Sequence, residues 1–411
     1  LDAARLARAS KAGAQFALVV QNSLGGGTLR AIEDLEQAAG YGTAAKLTLQ
    51  CREDGMMVLS AEHPALRAVF APDETAELLR VLQAACIPLV LVHQVLGFPL
   101  DFLRQMRAFL ADRRSIFYGH DFYPVCPRVT MIDAVKRFCG VADTAVCGRC
   151  VKVGGAHDSS RLDDLSGAEH RGEFSRFLAG FTHIVTPSEN AAGYYRRAFP
   201  NLVVEVVPHP AAPAPRVNRP YVPGNKEVVV LGAIGPHKGS ATLLEVARLA
   251  RLTHPDLHFR VVGHTNVDAE LRRLGNVTIT GPYAPADLAG LVGQTDARVA
   301  LFLSGWPETY SYTLSEAMLL GFLPVAPDIG APAERIRAHG FGLVFPFPIV
   351  PSDVVALLDR TTSDTSDWDR HASRAIAAIS APDHARRTRV LYGLEDEVGK
   401  ARPRRVKAVG R

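Results

Sequence analysis

Two carboxylates separated by a turn are the first chemistry this chain offers. Glu308 and Glu316 have seven residues between them, in the stretch FLSGWPETYSYTLSEAMLLGFLPVAPDIGAPAERI that runs from 302 to 336. A helix beginning between them, around 310–314, would present free backbone N–H groups and the positive end of its dipole, which suits a phosphate. Tyr312, Thr313 and Leu314 are placed to supply those amides. Carboxylates beside a phosphate seat need hydroxyl donors, and a nucleotide sugar carries hydroxyls at both ends of a diphosphate. Thr313-x-x-Glu316 is also a capping box, in which Glu316 only reaches back to a backbone N–H.

These groups need a frame to hold them. Residues 297–303 read as a buried strand, followed by a turn with Gly305 and Pro307, a helix, an apolar strand over 322–326 and a further Gly/Pro-rich turn. In a parallel α/β sheet the loops leaving the carboxyl ends of strands face the ligand crevice, and 305–312 is such a loop. Upstream, EVVVL at 227–231 runs into GAIGPHKGSATLLEVARLA, a glycine turn and then an amphipathic helix. There Gly235, with Gly232 and Gly239, allows close backbone approach, and Lys238 can meet a diphosphate as a point charge. HFRVVG, NVTITGPY, PADLAGLVGQ and DARVALFL continue the alternation of strand and helix. Gly263 ends one of these strands, a place for a nucleotide base to lie on backbone. Helices are expected over 352–361, 366–379 and 382–394, the last returning to the first half.

The first half repeats the pattern less openly. FALVV reads as a strand, NSLGGGT as a turn and 29–39 as a helix, so that Gly25, Gly26 and Gly27 let backbone approach a phosphate or sugar. Arg30 stands where a dinucleotide fingerprint would want glycine, which weakens an oxidoreductase reading. Strands over 89–92 and 115–118 end on His93 and on His120 with Asp121. Beyond them Cys126, Cys139, Cys147 and Cys150 have spacings that admit a structural zinc; reduced buried thiols, a redox pair and disulfides are the alternatives. The stretch 160–176 is polar. A strand over 181–187, a helix capped by Ser188 and a strand over 202–207 lead into PHPAAPAPRVNRP, a linker that sets a boundary near residue 210.

Composition narrows the class. The chain has 411 residues, 47% hydrophobic and 21% charged, enough for two domains with full cores. Its 27 prolines and 34 glycines follow no repeat, and the longest apolar run, near 87–100, is broken by His93 and Gly97 and too short to span a membrane. The formal charge is only +4, and no basic stretch is interleaved with aromatics as in nucleic-acid modules. Arg402, Arg404, Arg405, Lys407 and Arg411 crowd the end of the chain, where they suit either anionic lipid head groups or a solvated tail. No export segment is legible, so a cytoplasmic protein is expected, with the basic tail offering peripheral contact at the inner membrane face. A sequence opening on Leu1 without methionine leaves open whether it is a piece of a longer polypeptide.

The string PETYSYTLSEAMLLGFLPVAPDIGAPAERI resembles the donor-site signature of glycosyltransferase family 4, retaining enzymes of the GT-B fold. Pro307, Glu308, Glu316, Ala317, Gly321, Pro324, Val325, Gly330 and Glu334 carry the match. FYGHDFYPVCPR is similar to a string of bacterial polysaccharide members, in which the histidine faces the donor sugar. The resemblance implies an α/β GT-B protein with two doubly wound Rossmann-like domains facing across a cleft. Residues 1–210 would form the acceptor side, 211–381 the donor domain, and 382–411 the returning helix and tail.

It further implies transfer of a sugar from a nucleotide diphosphate sugar to a glycan or lipid-linked acceptor, with no metal needed for chemistry. Glu316 would hold ribose, and Glu308 would bind sugar hydroxyls near the transferred carbon. Lys238 would stabilise the leaving diphosphate, with Gly26 and Gly27 beneath it. His120 would bond a sugar hydroxyl, while Asp121 orients its loop or touches the acceptor. The family carries an arginine five residues ahead of the lysine; this chain has Ala233. That departure keeps a non-catalytic nucleotide-sugar binding module open as an alternative, beside an epimerase on the same fold.

Overall fold

In the computed structural model, residues 2–23, 25–162, 164–210, 222, 224–363 and 383–395 are described. They form two sheets. The first holds β1 (Phe16–Asn22), β2 (Ala45–Cys51), β3 (Met57–Ala61), β4 (Leu66–Phe70), β5 (Leu89–Val92), β6 (Arg114–Tyr118), β7 (His183–Thr186) and β8 (Glu205–Val206). Their order is β4-β3-β2-β1-β5-β6-β7-β8. From β2 to β8 the neighbours are parallel, whereas β3 and β4 extend the edge as an antiparallel meander. β1 and β5 are buried on both faces, as central parallel strands must be when helices cover both sides.

The second sheet holds β9 (Glu227–Ile234), β10 (His258–Thr265), β11 (Val277–Ile279), β12 (Val299–Leu301), β13 (Leu323–Pro327) and β14 (Leu343–Phe345), all parallel. Its order is β11-β10-β9-β12-β13-β14, which counted from its own first strand is 3-2-1-4-5-6. That is the doubly wound order, and its direction reverses between β9 and β12, where the crevice opens. The corresponding reversal in the first sheet lies between β1 and β5.

Most expected elements are present, with shifted ends. The strand anticipated over 297–303 is limited to three residues, and the helix anticipated over 29–39 begins earlier, at Gly27. The supposed turn after β13 is the Gly330–His339 helix, which tolerates Pro332 because a first helical turn has N–H groups to spare. The polar stretch after 160 contains the Gly167–Leu178 helix, opened by a Ser166/Glu169 capping box and buried through Phe174, Phe177 and Leu178. The returning helix is Asp383–Leu391; it packs on the Gly27–Ala39 helix, and Arg114 holds it by donating to the carbonyls of Leu391 (2.6 Å) and Val390 (3.0 Å). The helix expected over 366–379 and the basic tail lie outside the described residues. Among the described residues no helix is long and apolar enough to cross a membrane.

Candidate functional site

A cleft of about 500 Å³ opens between the two sheets at their carboxyl ends. Of the expected site residues, His120, Asp121, Gly26, Gly27, Lys238, Gly263, Glu308, Tyr312, Thr313 and Glu316 line it. Gly235 is not among the lining residues; Gly232 and Ala233, within the last residues of β9 itself, take its place. The Leu314 side chain is fully buried in the core of the second half.

The second-half loops rest backbone on backbone. Gly239, at φ +86°, follows Lys238 and lies so close to the chain leaving β12 that a Cβ would stand 2.0 Å from the Leu303 carbonyl oxygen. Gly263, at φ +132°, lies equally close to the Gly232 carbonyl. Side chains are excluded at both points, so the floor of the cleft near these strand ends is bare backbone. Gly305 donates its N–H to the His237 carbonyl (3.1 Å), which joins the loop after β9 to the loop after β12.

Glu308 is nearly buried, and Ser304 donates its hydroxyl to the Glu308 carboxylate. Three residues on, Ser311 has φ +68°, a left-handed conformation that costs a non-glycine residue about 1–3 kcal/mol and is held where the surroundings over-determine it. Arg335 supplies that restraint by donating to the carbonyls of Tyr310 and Ser311 (2.9 Å each) and to Ser315 Oγ (2.6 Å). The Tyr312–Leu319 helix starts immediately afterwards, without a side-chain cap, so its first N–H groups remain available to the cleft. Glu316 does not close a capping box. It accepts an ion-paired hydrogen bond from Arg30, which reaches across from the first half.

On the opposite wall His120 and His93 share a hydrogen bond (Nε2 to Nδ1, 2.9 Å), and His93 stacks on Tyr118 with ring centres 4.5 Å apart. Burial holds His120 down to about 3 and drives His93 well below its ordinary value, so both rings are neutral. A neutral His120 can accept or donate one hydrogen bond to a hydroxyl; it is a poor proton donor. Asp121 accepts from the Tyr123 N–H (2.8 Å) and from Gln94, and burial pushes its carboxyl up to about 6. Those bonds tie Asp121 into its own loop.

Contacts between the halves concentrate here. Thr309 donates to the His120 carbonyl (2.6 Å), and Ser188 to the Thr309 carbonyl (2.8 Å). Glu334 accepts from the N–H groups of Glu189 (3.0 Å) and Asn190 (2.6 Å), capping a helix of the opposite half. His209, expected only as linker, lines the cleft and lies parallel to the Tyr312 ring at 5.8 Å. Arg30 was legible only as the residue that spoils a dinucleotide fingerprint. Its position on the first turn after the glycines was the signal that it faces the cleft.

The zinc expectation for Cys126, Cys139, Cys147 and Cys150 finds no support. All are free thiols, and among the described residues no group of three or more His, Cys, Asp or Glu stands where it could hold a metal ion. Arg171 donates to Cys147 Sγ (3.0 Å), putting a cation beside that sulfur, while Cys139 donates its S–H to the Met131 carbonyl (3.1 Å). Burial pushes Cys126 up to about 11 and Cys139 to about 12, so both are thiols in the metal-free protein.

The cleft and the sheet order have counterparts among known proteins. Residues 217–378 match the family model of glycosyl transferases group 1. No curated protein sequence matches the chain. Among solved structures, sucrose-phosphate synthase from Thermosynechococcus elongatus is similar at 15% identity and a TM-score of 0.61, covering 92% of this chain and 98% of that one. HepE from Anabaena, solved with UDP-glucose, is similar at 15% identity and a TM-score of 0.57, with the same coverage. TarM, at 12% identity and a TM-score of 0.55, is covered over 61% of its length by 82% of this chain. The two doubly wound sheets thus make a GT-B fold, whose second half is similar to the glycosyl transferases group 1 model over residues 217–378.

Proposed function

We propose that the protein is a retaining glycosyltransferase of the family 4 type, dividing near residue 210 into an acceptor-side and a donor-side domain. It moves a sugar from a nucleotide diphosphate sugar to a glycan or lipid-linked acceptor, in the synthesis of bacterial surface polysaccharide. The observation that carries the reading is the convergence of Glu308, Glu316, Lys238 and an uncapped helix N-terminus on one wall of the interdomain cleft. The crystallisation of HepE with UDP-glucose supports a donor of this kind.

Glu316 binds the ribose hydroxyls and Glu308 the sugar hydroxyls near the transferred carbon. Lys238 and the amides at the start of the Tyr312–Leu319 helix stabilise charge on the departing diphosphate, where preorganised donors act most strongly. His120, neutral, accepts from or donates to a sugar hydroxyl and so orients the ring. No side chain is assigned as general base: in front-face substitution the leaving phosphate oxygen takes the acceptor's proton as the new glycosidic bond forms. The two halves exclude water, which would otherwise hydrolyse the donor. A non-catalytic nucleotide-sugar binding module is the second reading, favoured by Ala233 where the resembled family has arginine.

A thermal-shift panel of UDP, GDP, ADP, CMP and dTDP with their sugars tests the reading. One nucleotide at about 100 times its dissociation constant should add roughly 2.7 kcal/mol of stability, and Glu316→Ala should lose most of it. No stabilisation by any nucleotide would sink the donor site; stabilisation without turnover on any acceptor would favour the binding module.

A further inference from the structure

The donor's diphosphate is the most highly charged part of the proposed ligand, and among the described residues the second half brings one permanent cation, Lys238, to the cleft. Position 233, five residues ahead of Lys238, is alanine, so the loop after β9 offers a single positive charge. Among the residues lining the cleft, the other arginine or lysine is Arg30. It comes from the facing domain, on the first turn of the Gly27–Ala39 helix and directly after the glycine turn.

Three contacts locate its guanidinium. Nη1 donates to Glu316, Nε is 3.9 Å from Asp34, and Cζ stands 4.7 Å from the centre of the ring of Tyr312, the residue that opens the helix whose amides would form the phosphate seat. At Gly27 the two walls approach so closely that a Cβ would touch the Tyr312 ring at 3.8 Å. Burial works against the charge of Arg30, but Glu316 and Asp34 outweigh it, and the group is held above its ordinary value. The cation is therefore parked beside the seat on a carboxylate that ribose hydroxyls would claim.

Resting on the donor-site reading above, we infer that Arg30 supplies the second cation to the donor diphosphate, the charge Ala233 does not provide, and that its pair with Glu316 is its contact before the donor arrives. Ribose hydroxyls displace the guanidinium from Glu316, and its planar N–H fork turns to the phosphate oxygens, a geometry it matches with two parallel hydrogen bonds. Because Arg30 belongs to the first half and Glu316 to the second, this exchange makes the first half read the donor's phosphates directly.

The experiment is calorimetric binding of the nucleoside, its monophosphate and its diphosphate, with the base chosen by the panel above. The proteins are wild type, Arg30→Ala, Arg30→Gln and Arg30→Ala/Ala233→Arg. Arg30→Ala and Arg30→Gln should each weaken the diphosphate ten- to hundredfold while changing the nucleoside less than threefold. Ala233→Arg in the Arg30→Ala background should recover at least tenfold of the loss. Arg30→Gln keeps a hydrogen bond to Glu316 without charge, so it decides the matter if the alanine variant misfolds. Equal weakening of nucleoside and diphosphate, or no weakening of either, overturns the inference alone. A wild-type protein that binds no nucleoside diphosphate overturns the donor-site reading, and this inference with it.

Discussion

The two walls of the cleft are built by opposite means. The second half carries Lys238 and Glu308 on loops, and Glu316 on the helix that follows, locked to one another through backbone: Gly239 lies on the Leu303 carbonyl, and Gly330 packs on Pro307 and the Glu308 N–H, where a Cβ would stand 2.8 Å away. The first half offers two neutral histidines, Asp121, Arg30 and a glycine turn in which a Cβ at Gly25 or Gly26 meets nothing within 4 Å. One wall has its geometry fixed by close packing, and the other keeps space. A seat for charge gains from the first arrangement, because donors that need not reorganise are worth most. A surface that must admit varied hydroxyl-bearing ligands gains from the second.

A pair of glycine substitutions tests that contrast most severely. Gly239→Ala must displace the Leu303 carbonyl as well as hold an L residue at positive φ, and it should cost at least about 3 kcal/mol of stability. Gly26→Ala carries backbone strain alone, at φ +74° and ψ −147°, a conformation essentially reserved for glycine, and should cost about 1–3 kcal/mol. Urea titration of both variants compares them. Equal losses would mean that the glycines differ only in backbone conformation, and the picture of a locked wall against an open one would fail.

The same contrast explains what could be read beforehand. In the second half each loop chemistry is encoded by a short contiguous string, so Glu308, Glu316 and Lys238 could be placed on one cleft from their order along alternating strands and helices. In the first half the wall is assembled from residues far apart in the chain: His93, His120 and His209 come together through ring contacts no spacing announces. The antiparallel β3 and β4 escaped because an edge hairpin carries a weaker hydrophobic alternation than a buried strand. The Gly167–Leu178 helix was missed although Ser166-x-x-Glu169 is a start signal, because charged residues mask its apolar stripe. The four cysteines show the reverse error. Their spacing suggested a ligand set, but Arg171, from a helix the polar composition concealed, sits on Cys147.

Protonation sharpens the comparison, because among the described residues the buried histidines, His93, His170 and His209, belong to the first half. His170 packs against Tyr123 and Phe174, and neither ring nitrogen has a hydrogen-bond partner among the described residues. Burial, helped by Arg171, holds it down to about 3. The unfolded chain takes up this proton below about 6.5 and the folded chain does not, so stability is intact above that pH and falls on acidification toward 3. The slope for one such proton is about 1.4 kcal/mol per pH unit. His170→Phe removes this burden, so its stability advantage over wild type should widen by about that amount per unit between pH 6 and 4. Denaturant midpoints across this range measure it; a constant difference would mean that His170 takes up its proton in the folded state.

Glu334 supplies the mildest test, at the seam where the two walls meet. The Glu189–Ala198 helix satisfies one early N–H with Ser188 from its own half, while its first two are taken by the Glu334 carboxylate from the other. A carboxylate there also meets the positive end of the helix dipole. Glu334→Ala should therefore cost about 1 kcal/mol, the usual worth of a cap, and Glu334→Gln less, since an amide oxygen still accepts while the charge is lost. Because this cap crosses from one half to the other, its removal should lower the unfolding midpoint and also speed amide hydrogen exchange at Glu189 and Asn190. Slower or unchanged exchange at those two amides would show that water satisfies them equally well, leaving the seam to be held by Thr309, Ser188 and the Arg30–Glu316 pair.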